Sequence, residues 1–345
     1  MKSPPGRVAD IQRAADVLRA GGLVAFPTET VYGLGADAEN HDAVARIFDV
    51  KGRPRSHPLI IHIRTSSQLR EWADDVSAAA QLLSERFWPG PLTLVLRRGR
   101  RVSLVATGGG ETVALRVPAH AVALELLGAF GGGIAAPSAN RFGSVSPTRA
   151  AHVRDELGTA VDFVLDGGPC EVGIESTIVD VTGEGAVILR PGGVTREELE
   201  DVLGRTVQVG SRSPVRAPGQ HALHYAPRAR VMLVEPHDLV REAIRLAARG
   251  ERVGVLLPGG TARVPGNVSM LVVPDSMMEY AHQLYDMLRE LDRRGCNVIV
   301  ASLPAEDRLG LAIADRLRRA AGPRGREAGR EEVPQSGDDG RSLNW

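Results

Sequence analysis

A short apolar run at residues 23–26 leads directly into a polar, glycine-containing segment that ends at Asp37. The run predicts a β strand, and the segment after it places hydroxyls, a carboxylate and a glycine-rich turn at the strand's end. Two fixed cations, Lys51 and Arg53, follow in the sequence Lys-Gly-Arg-Pro. Strand ends of this kind are where α/β proteins bind anionic ligands, so the segment indicates an α/β fold with an anion site.

Apolar periodicity divides residues 1–205 into short strands and helices. Strands are predicted at residues 23–26, 59–63, 92–96, 112–117, 134–136, 163–165, 176–181 and 186–189. Helices are predicted at residues 11–18, 43–50, 78–87, 122–127, 148–157 and 195–203. Ser146 is expected to cap the helix at 148–157, and Thr195 with Glu198 forms a capping box. Because strands and helices do not alternate strictly, the sequence predicts a twisted, mixed sheet with helices.

A second pattern starts at residue 231, with strands at 231–234, 253–257, 271–273 and 297–300 and helices at 238–249, 277–294 and 308–320. This alternation predicts a small parallel, Rossmann-like α/β domain. Residues 206–230 contain prolines and glycines without a period and are predicted to be a linker, in which the pair His224-Tyr225 favours a functional loop. The predicted organisation is a catalytic domain at 1–205, this linker, a small domain at 231–322 and a disordered tail at 323–345.

Composition excludes several broad classes of function. The 345 residues are 43% hydrophobic and 24% charged, with a formal net charge of +0 and only 4% aromatic residues, which argues against a general nucleic-acid binder. Cys170 and Cys296 have no metal-ligand spacing and predict free thiols in a reducing compartment. Without a signal-peptide core or an apolar run near the roughly 20 residues of a membrane span, we expect a cytoplasmic protein with no membrane association.

Several common motifs are missing from the sequence. There is no Gly-x-x-x-x-Gly-Lys-Ser/Thr loop, no Gly-x-Gly-x-x-Gly after the first strand and no Gly-x-Ser-x-Gly elbow. His221 and His224 have no cysteine partners, so we expect no protein-held metal. A nucleotide would therefore need an unusual cradle.

The loop after the strand at 134–136 offers such a cradle. Ser138, Asn140, Ser144 and Ser146 provide hydroxyl and amide groups with little bulk, which lets a backbone approach phosphate or ribose oxygens. Lys51 and Arg53 add a point charge and a planar fork suited to phosphate.

Arginines at other strand ends extend this set. Arg116 follows an apolar strand and needs an anionic partner, either a ligand carboxylate or an internal Asp or Glu. Ser176 stands at a strand start and Arg190 at a strand end before a glycine turn. Together these clusters indicate one polyanionic ligand in one cleft.

The motifs, in order and spacing, resemble the YrdC-like threonylcarbamoyl-AMP synthases in their two-domain form. The matching pieces are Pro27-Thr-Glu-Thr-Val-Tyr-Gly-Leu34, Lys51-Gly-Arg-Pro54, Pro58-Leu59 with His62, Trp88-Pro-Gly-Pro-Leu-Thr93, Leu115-Arg-Val-Pro118, Pro137-Ser-Ala-Asn140, Glu175-Ser-Thr177, Arg190-Pro-Gly192, His224-Tyr-Ala-Pro227 and Gly310-Leu-Ala-Ile-Ala-Asp-Arg-Leu317. One departure is Gln220, where the resemblance implies an apolar residue.

The resemblance implies a reaction that joins L-threonine, bicarbonate or CO2 and ATP to give L-threonylcarbamoyl-AMP and pyrophosphate, with Mg2+ accompanying ATP. It implies phosphate binding by Lys51 and Arg53, nucleotide binding by Ser138, Asn140, Ser146 and Arg190, and a threonine carboxylate on Arg116. Thr28, Thr30, His62 and Ser176 would line the threonine and carbamate site, and His224 with Tyr225 would form a lid. The product would pass to a separate transferase complex that modifies tRNA.

Two other functions remain open from the sequence. A carbamoyltransferase of the hydrogenase-maturation type has a similar central domain, although its accompanying zinc fingers need cysteine pairs that this chain lacks. A double-stranded RNA-binding module could use a basic cleft, but the neutral net charge makes RNA binding a secondary role at most.

Overall fold

The computed structural model describes residues 5–210, 218, 224–260 and 263–323. The first part of the chain contains α1 (Pro5–Arg19), β1 (Val24–Phe26), β2 (Gly33–Asp37), α2 (His41–Lys51), β3 (Ile60–His62), α3 (Leu69–Trp72), α4 (Ala78–Phe87), β4 (Leu92–Arg97), β5 (Thr112–Arg116), α5 (Ala121–Phe130), β6 (Ile134–Ala135), α6 (Ala150–Leu157), β7 (Phe163–Val164), β8 (Thr177–Asp180), β9 (Val187–Arg190), α7 (Arg196–Leu203) and β10 (Gln208–Val209).

The strands of this part form one sheet in the order β10-β9-β8-β4-β5-β3-β6-β2-β1-β7. Pairing is mixed, because β3 runs parallel to β5 and β4 to β8, whereas β4–β5 and β1–β2 are antiparallel. Large apolar side chains from the helices, such as Phe48 and Trp72, are buried against it. The predicted α/β fold with a mixed sheet is confirmed.

The glycine-containing segment at residues 33–37 is a strand, so the predicted turn is wrong there. It pairs antiparallel with both β1 and β6. A Cβ atom added at Gly35 would lie 2.7 Å from Ile134 Cγ2 and 2.8 Å from Phe26 Cε1. Glycine is needed here because neighbouring side chains lie across the strand, not because the backbone turns.

The predicted cap of the helix near residue 150 is also wrong. Helix α6 begins at Ala150 after Arg149, and no side chain caps it. The Ser146 hydroxyl instead donates to Glu175 Oε1 at 2.5 Å. The capping box of α7, formed by Thr195 and Glu198, is present as predicted.

The second part of the chain folds as a smaller parallel sheet with helices, which confirms the predicted small α/β domain. Its elements are β11 (Arg230–Leu233), α8 (Leu239–Ala248), β12 (Val253–Pro258), β13 (Val268–Val273), α9 (Met277–Arg293), β14 (Val298–Ala301) and α10 (Arg308–Ala321). The strand order is β11-β14-β12-β13. Helix α9 buries Tyr280, Leu284, Leu288 and Leu291 on one face at helical spacing.

One buried cluster joins the two parts. Val31, Val145 and Ile174 of the first part pack in the same hydrophobic cluster as residues of α9 and α10, and Tyr225 belongs to it. The first part therefore has an apolar surface that the second part covers.

Some predicted segments lie outside the described residues: 211–217 and 219–223 of the linker, and 324–345 of the tail. Gln220 and His221 are among them. The short strand β10 lies within the segment predicted to be linker. None of the helices in the described ranges has the length and apolar character that crossing a bilayer requires.

Candidate active site

A cavity with about 510 Å³ of empty volume lies where several strands of the large sheet end. Most of the residues predicted for the site line it: Thr28, Thr30, Arg53, His62, Arg116, Ser138, Ser176, Arg190, His224 and Tyr225.

Sheet register explains why residues far apart in sequence meet here. His62 is the last residue of β3 and Arg116 the last of β5, and the two are direct partners in the parallel pair. Thr28 and Thr30 follow β1, with their hydroxyls 2.8 Å apart, and Ser138 follows β6. Ser176 precedes β8 and Arg190 ends β9, its antiparallel neighbour.

Lys51, Asn140 and Ser146 lie behind the cavity wall rather than in it. The Lys51 ammonium donates to the carbonyl of Ser138 at 2.6 Å and to that of Asn140. The Asn140 amide donates to the carbonyls of Arg141 and Ser144 at 2.8 and 2.9 Å. Burial and the nearby Arg53 hold the pKa of Lys51 well below its ordinary value. These residues fix the shape of the loop that carries Ser138.

Arg53 lies in the cavity wall with one side of its guanidinium engaged. Its Nη2 donates to the Pro58 carbonyl at 3.0 Å, and its guanidinium lies 5.9 Å from the centre of the Phe142 ring. Burial, with Arg190 nearby, lowers the pKa of Arg53 to about 10, so it is cationic at neutral pH.

Arg116 pairs with Glu29, a residue that the sequence analysis did not select. Arg116 Nη2 lies 2.8 Å from Glu29 Oε1, and both side chains are only 4% exposed. Arg116 Nε also donates to the Gly90 carbonyl at 3.2 Å. The internal acidic partner, one of the two alternatives for Arg116, is therefore present. Neither Glu29 oxygen accepts a well-directed hydrogen bond from the described residues, so the carboxylate can still accept one.

His62 carries no charge at neutral pH. Burial and the adjacent Arg116 lower its pKa to about 3. Its ring packs edge-on against Phe26, with the ring centres 5.8 Å apart. A neutral imidazole next to a fixed cation can bind a polar group without adding positive charge.

Arg190 and Ser176 form a second polar group. Arg190 donates from Nη2 to the Ser176 carbonyl at 2.8 Å and to its hydroxyl at 3.1 Å, and from Nη1 to the Pro218 carbonyl at 3.4 Å. The Ser176 and Thr93 hydroxyls are 2.8 Å apart. A Cβ atom at Gly192 would lie 2.3 Å from the Glu175 carbonyl oxygen, so only glycine lets the turn after β9 pack this closely.

Glu175 connects this group to the second part of the chain. Its carboxylate accepts from Ser146 at 2.5 Å, from the Tyr285 hydroxyl at 2.9 Å and from Arg316 Nε at 2.7 Å. Burial opposes ionisation, but Arg316, Arg190 and the Ser146 hydrogen bond together lower the pKa of Glu175 to about 2. Sequence reasoning missed Arg316, although an arginine among the apolar positions of α10 was a usable signal.

The two residues predicted to form a lid are among those that line the cavity. His224 and Tyr225 are both buried, their ring centres are 4.1 Å apart, and the His224 ring also contacts Phe142 edge-on. Burial holds the pKa of His224 well below its ordinary value. Tyr225 has a φ of 60°, an uncommon conformation for a bulky residue that its tight packing maintains.

Comparison with known proteins covers both parts. Residues 16–192 match the family model of the Sua5, YciO and YrdC proteins, described as telomere recombination, and residues 194–322 match the model described as threonylcarbamoyl-AMP synthase, C-terminal domain. The chain is 45% identical over 325 residues to a threonylcarbamoyl-AMP synthase of Pyrococcus abyssi, covering 91% of this chain and 94% of the relative. It is 41% identical over 324 residues to that of Bacillus subtilis, covering 91% and 93%.

Solved structures agree with the sequence matches. The crystal structure of Pyrococcus abyssi Sua5 complexed with L-threonine superimposes with a TM-score of 0.86 at 42% identity, covering 91% of this chain and 94% of that one. No group of three or more metal-ligating side chains occurs among the residues described. The chain belongs to the two-domain threonylcarbamoyl-AMP synthase family, as its motifs predicted.

Proposed function

We propose that this protein is an L-threonylcarbamoyladenylate synthase, which converts L-threonine, bicarbonate or CO2, and ATP into L-threonylcarbamoyl-AMP and pyrophosphate. The observation that carries this proposal is the presence of Arg53, Arg116 and Arg190, all buried, around one cavity. Such a site suits a substrate set with several anionic groups. The names of the relatives that match over nine-tenths of the chain support the same reaction.

The chemistry needs no protein nucleophile. The threonine amine attacks CO2 and loses a proton, which gives a carbamate. A carbamate oxygen then attacks the α-phosphorus of ATP, the bond to the bridging oxygen breaks, and pyrophosphate leaves. The protein contributes by positioning the substrates and by stabilising negative charge.

The threonine would bind at the Arg116 end of the cavity. Arg116 would bind the carboxylate, and its buried ion pair with Glu29 holds the guanidinium in position. The neutral imidazole of His62 and the hydroxyls of Thr28 and Thr30 complete this end. The threonine-bound relative supports the choice of amino acid.

The nucleotide would bind at the opposite end, where Arg53, Ser138 and Arg190 line the cavity. Lys51 would contact a phosphate only after leaving the carbonyls of Ser138 and Asn140, so its first role is to hold that loop together with Asn140 and Ser146. Mg2+ enters as part of the MgATP substrate. Glu175, which lines the cavity, is engaged by Arg316, and Glu29 is engaged by Arg116.

The product is a reactive mixed anhydride, so we expect a separate tRNA-modifying transferase to consume it in the cytoplasm. His224 and Tyr225 would keep water from it while it is bound. Direct RNA binding is at most a secondary role.

The test is pyrophosphate release from MgATP, with threonine or bicarbonate omitted in turn. Release should require both, and Arg53→Gln should lower kcat/KM on the order of 100-fold. Arg55→Gln is the matched control, because Arg55 is exposed and pairs only with Asp49 among the described residues. Equal losses in both variants would contradict the assignment of Arg53.

Two further assays distinguish the alternative functions. Turnover of carbamoyl phosphate in place of threonine and bicarbonate would favour the carbamoyltransferase. RNA binding that weakens steeply with salt, with no pyrophosphate release, would favour the RNA-binding module.

A further inference from the structure

Arg316 is an arginine of the second domain whose side chain is completely buried at 0% exposure. It lies on α10, and its Nε donates to Glu175 Oε2 at 2.7 Å, across 141 positions of sequence. Its Nη1 donates to Asp315 at 2.8 Å. A guanidinium of the second domain thus lies beside the cavity of the first domain.

Burying such a pair is costly, because each ion loses its hydration and the attraction between them only partly offsets that loss. Apolar residues of the same size would join two domains at least as well. The desolvation cost of this pair is explained if the site needs a charged carboxylate at Glu175, which lines the cavity.

Glu175 connects Arg316 to groups on the nucleotide side of the cavity. Its second oxygen holds the Ser146 hydroxyl at the base of the Ser138 loop. Its neighbour Ser176 accepts hydrogen bonds from Arg190 at both its carbonyl and its hydroxyl. Groups that face the Glu175 carboxylate come from every packed element: Arg190 from β9, Tyr285 from α9, Arg316 from α10, and His224 with Tyr225.

The other side of Arg316 supports the lid. Its guanidinium lies 4.9 Å from the centre of the Tyr225 ring, and Tyr225 stacks on Tyr285 with ring centres 5.9 Å apart. The Ala226 amide, next in sequence, donates to the Gly143 carbonyl at 2.8 Å. Arg316 therefore contacts both the carboxylate under the Ser138 loop and the ring over the cavity.

We propose that Arg316 is a positioning residue, through which the second domain holds the Glu175 carboxylate and the Tyr225 ring in place at the nucleotide side of the cavity. Its effect on turnover rests on the proposed function, whereas its effect on the lid does not.

The first test compares Arg316→Met with Arg318→Met. Methionine keeps the apolar stem of Arg316 and removes its charge, while Arg318 is a partly exposed residue of the same helix that pairs with Glu306. We expect kcat to fall on the order of 10- to 100-fold in R316M and to be unchanged in R318M. A structural role alone would not change the pH profile, so both variants are assayed from about pH 5 to pH 8.

The pH profile carries the sharper prediction. Without the Arg316 cation, the pKa of Glu175 rises, so R316M should lose activity toward acid pH more steeply than the unmodified protein. This additional loss of activity at acid pH should be missing from the double variant R316M/E175Q, which has no carboxylate at position 175. The double variant should also be no slower than E175Q alone, because the two residues act through one contact.

A second readout needs no turnover. Hydrogen exchange at the Ala226 amide should be faster in R316M than in R318M, since the lid loses its support. Two milder variants are Tyr285→Phe, which removes one hydroxyl, and Arg316→Lys, which keeps the charge but not the planar guanidinium. Both should give exchange rates between those of R316M and R318M. They replace R316M in this test if R316M does not fold.

The outcomes separate two hypotheses. Unchanged exchange, kcat and pH profile in folded R316M, or unchanged exchange in both milder variants, would overturn the role of Arg316. Faster exchange in a protein that releases no threonine-dependent pyrophosphate would leave the positioning role standing and reject the proposed function.

Discussion

At the scale of single residues, the site is a set of charges that have been removed from water. Arg53, Arg116 and Arg190 are each less than 10% exposed, and all three line the same cavity. Each arginine has a protein partner, either a carbonyl or Glu29, which offsets part of its desolvation. A preorganised positive site of this kind stabilises phosphate charge without moving at the moment of reaction.

The neutral state of His62 predicts a measurable pH dependence of stability. Its pKa is about 3 in the folded protein and near 6.5 when exposed, so between those values the unfolded chain binds the extra proton. Stability should therefore fall as pH falls below 6.5. In His62→Gln the slope should be shallower by about 1.4 kcal/mol per pH unit, measured by urea unfolding at several pH values. Parallel profiles for the two proteins would contradict this.

The sequence could identify these residues but not their partners. Strand ends that carry serine, threonine or arginine were visible, and sheet register then brings them together. Glu29 was visible too, but its pairing with Arg116 joins the segment after β1 to β5, and these two strands do not neighbour each other in the sheet. Such a contact depends on the tertiary fold and has no periodic signal in the sequence.

At the scale of elements, β2 shows how packing can override local preference. Glycine is a poor strand former, yet the segment from Gly33 to Asp37 lies inside the sheet between β1 and β6. The ring of Phe26 and the side chain of Ile134 occupy the space that a larger residue at Gly35 would need.

Gly35→Ala should destabilise the protein by about 1–3 kcal/mol, because the new methyl group would overlap Phe26 and Ile134. Gly183→Ala is the matched control, since a Cβ atom there meets nothing within 4 Å. The free energy of unfolding in urea measures both. A smaller loss in Gly35→Ala/Phe26→Leu than in Gly35→Ala alone would place the overlap at the ring. Equal stability of the two single variants would contradict the packing argument.

Most elements were predictable because their apolar residues repeat at helical spacing, as in α9, or form a short continuous run, as in β12. The errors fall where a tertiary contact takes over a local signal. Ser146 resembles a helix cap in sequence, but Glu175 accepts its hydroxyl, and Gly35 resembles a turn residue but lies under an aromatic ring.

At the scale of the whole molecule, the two domains form one packed body. Val31, Val145 and Ile174 pack in one cluster with the second domain. Among the described residues, arginine–carboxylate pairs cross the boundary at Arg149–Asp286, Arg289–Glu156 and Arg316–Glu175. We expect the described domains to unfold together rather than in sequence.

Gly173→Ala tests this cooperativity. A Cβ atom at Gly173 would lie 2.4 Å from the His282 carbonyl oxygen on α9, so the variant should force the domains apart. Gly168→Ala is the control, because both glycines have φ values in the left-handed region, 80° and 87°, but Gly168 has open space around it. In calorimetry, Gly173→Ala should lower Tm further than Gly168→Ala and broaden or split the transition. Identical calorimetric traces for the two variants would contradict the idea that packing at the domain boundary stabilises the protein.

The burial of Lys51 has a practical consequence for protein chemistry. Lys2 and Lys51 are the only lysines of the chain, and Lys51 is 3% exposed with its ammonium held by two backbone carbonyls. An amine-directed label should therefore leave Lys51 unmodified while its ammonium is bound to these carbonyls. The rate at which Lys51 is labelled, measured by mass spectrometry of a single peptide, would report how often these two hydrogen bonds break.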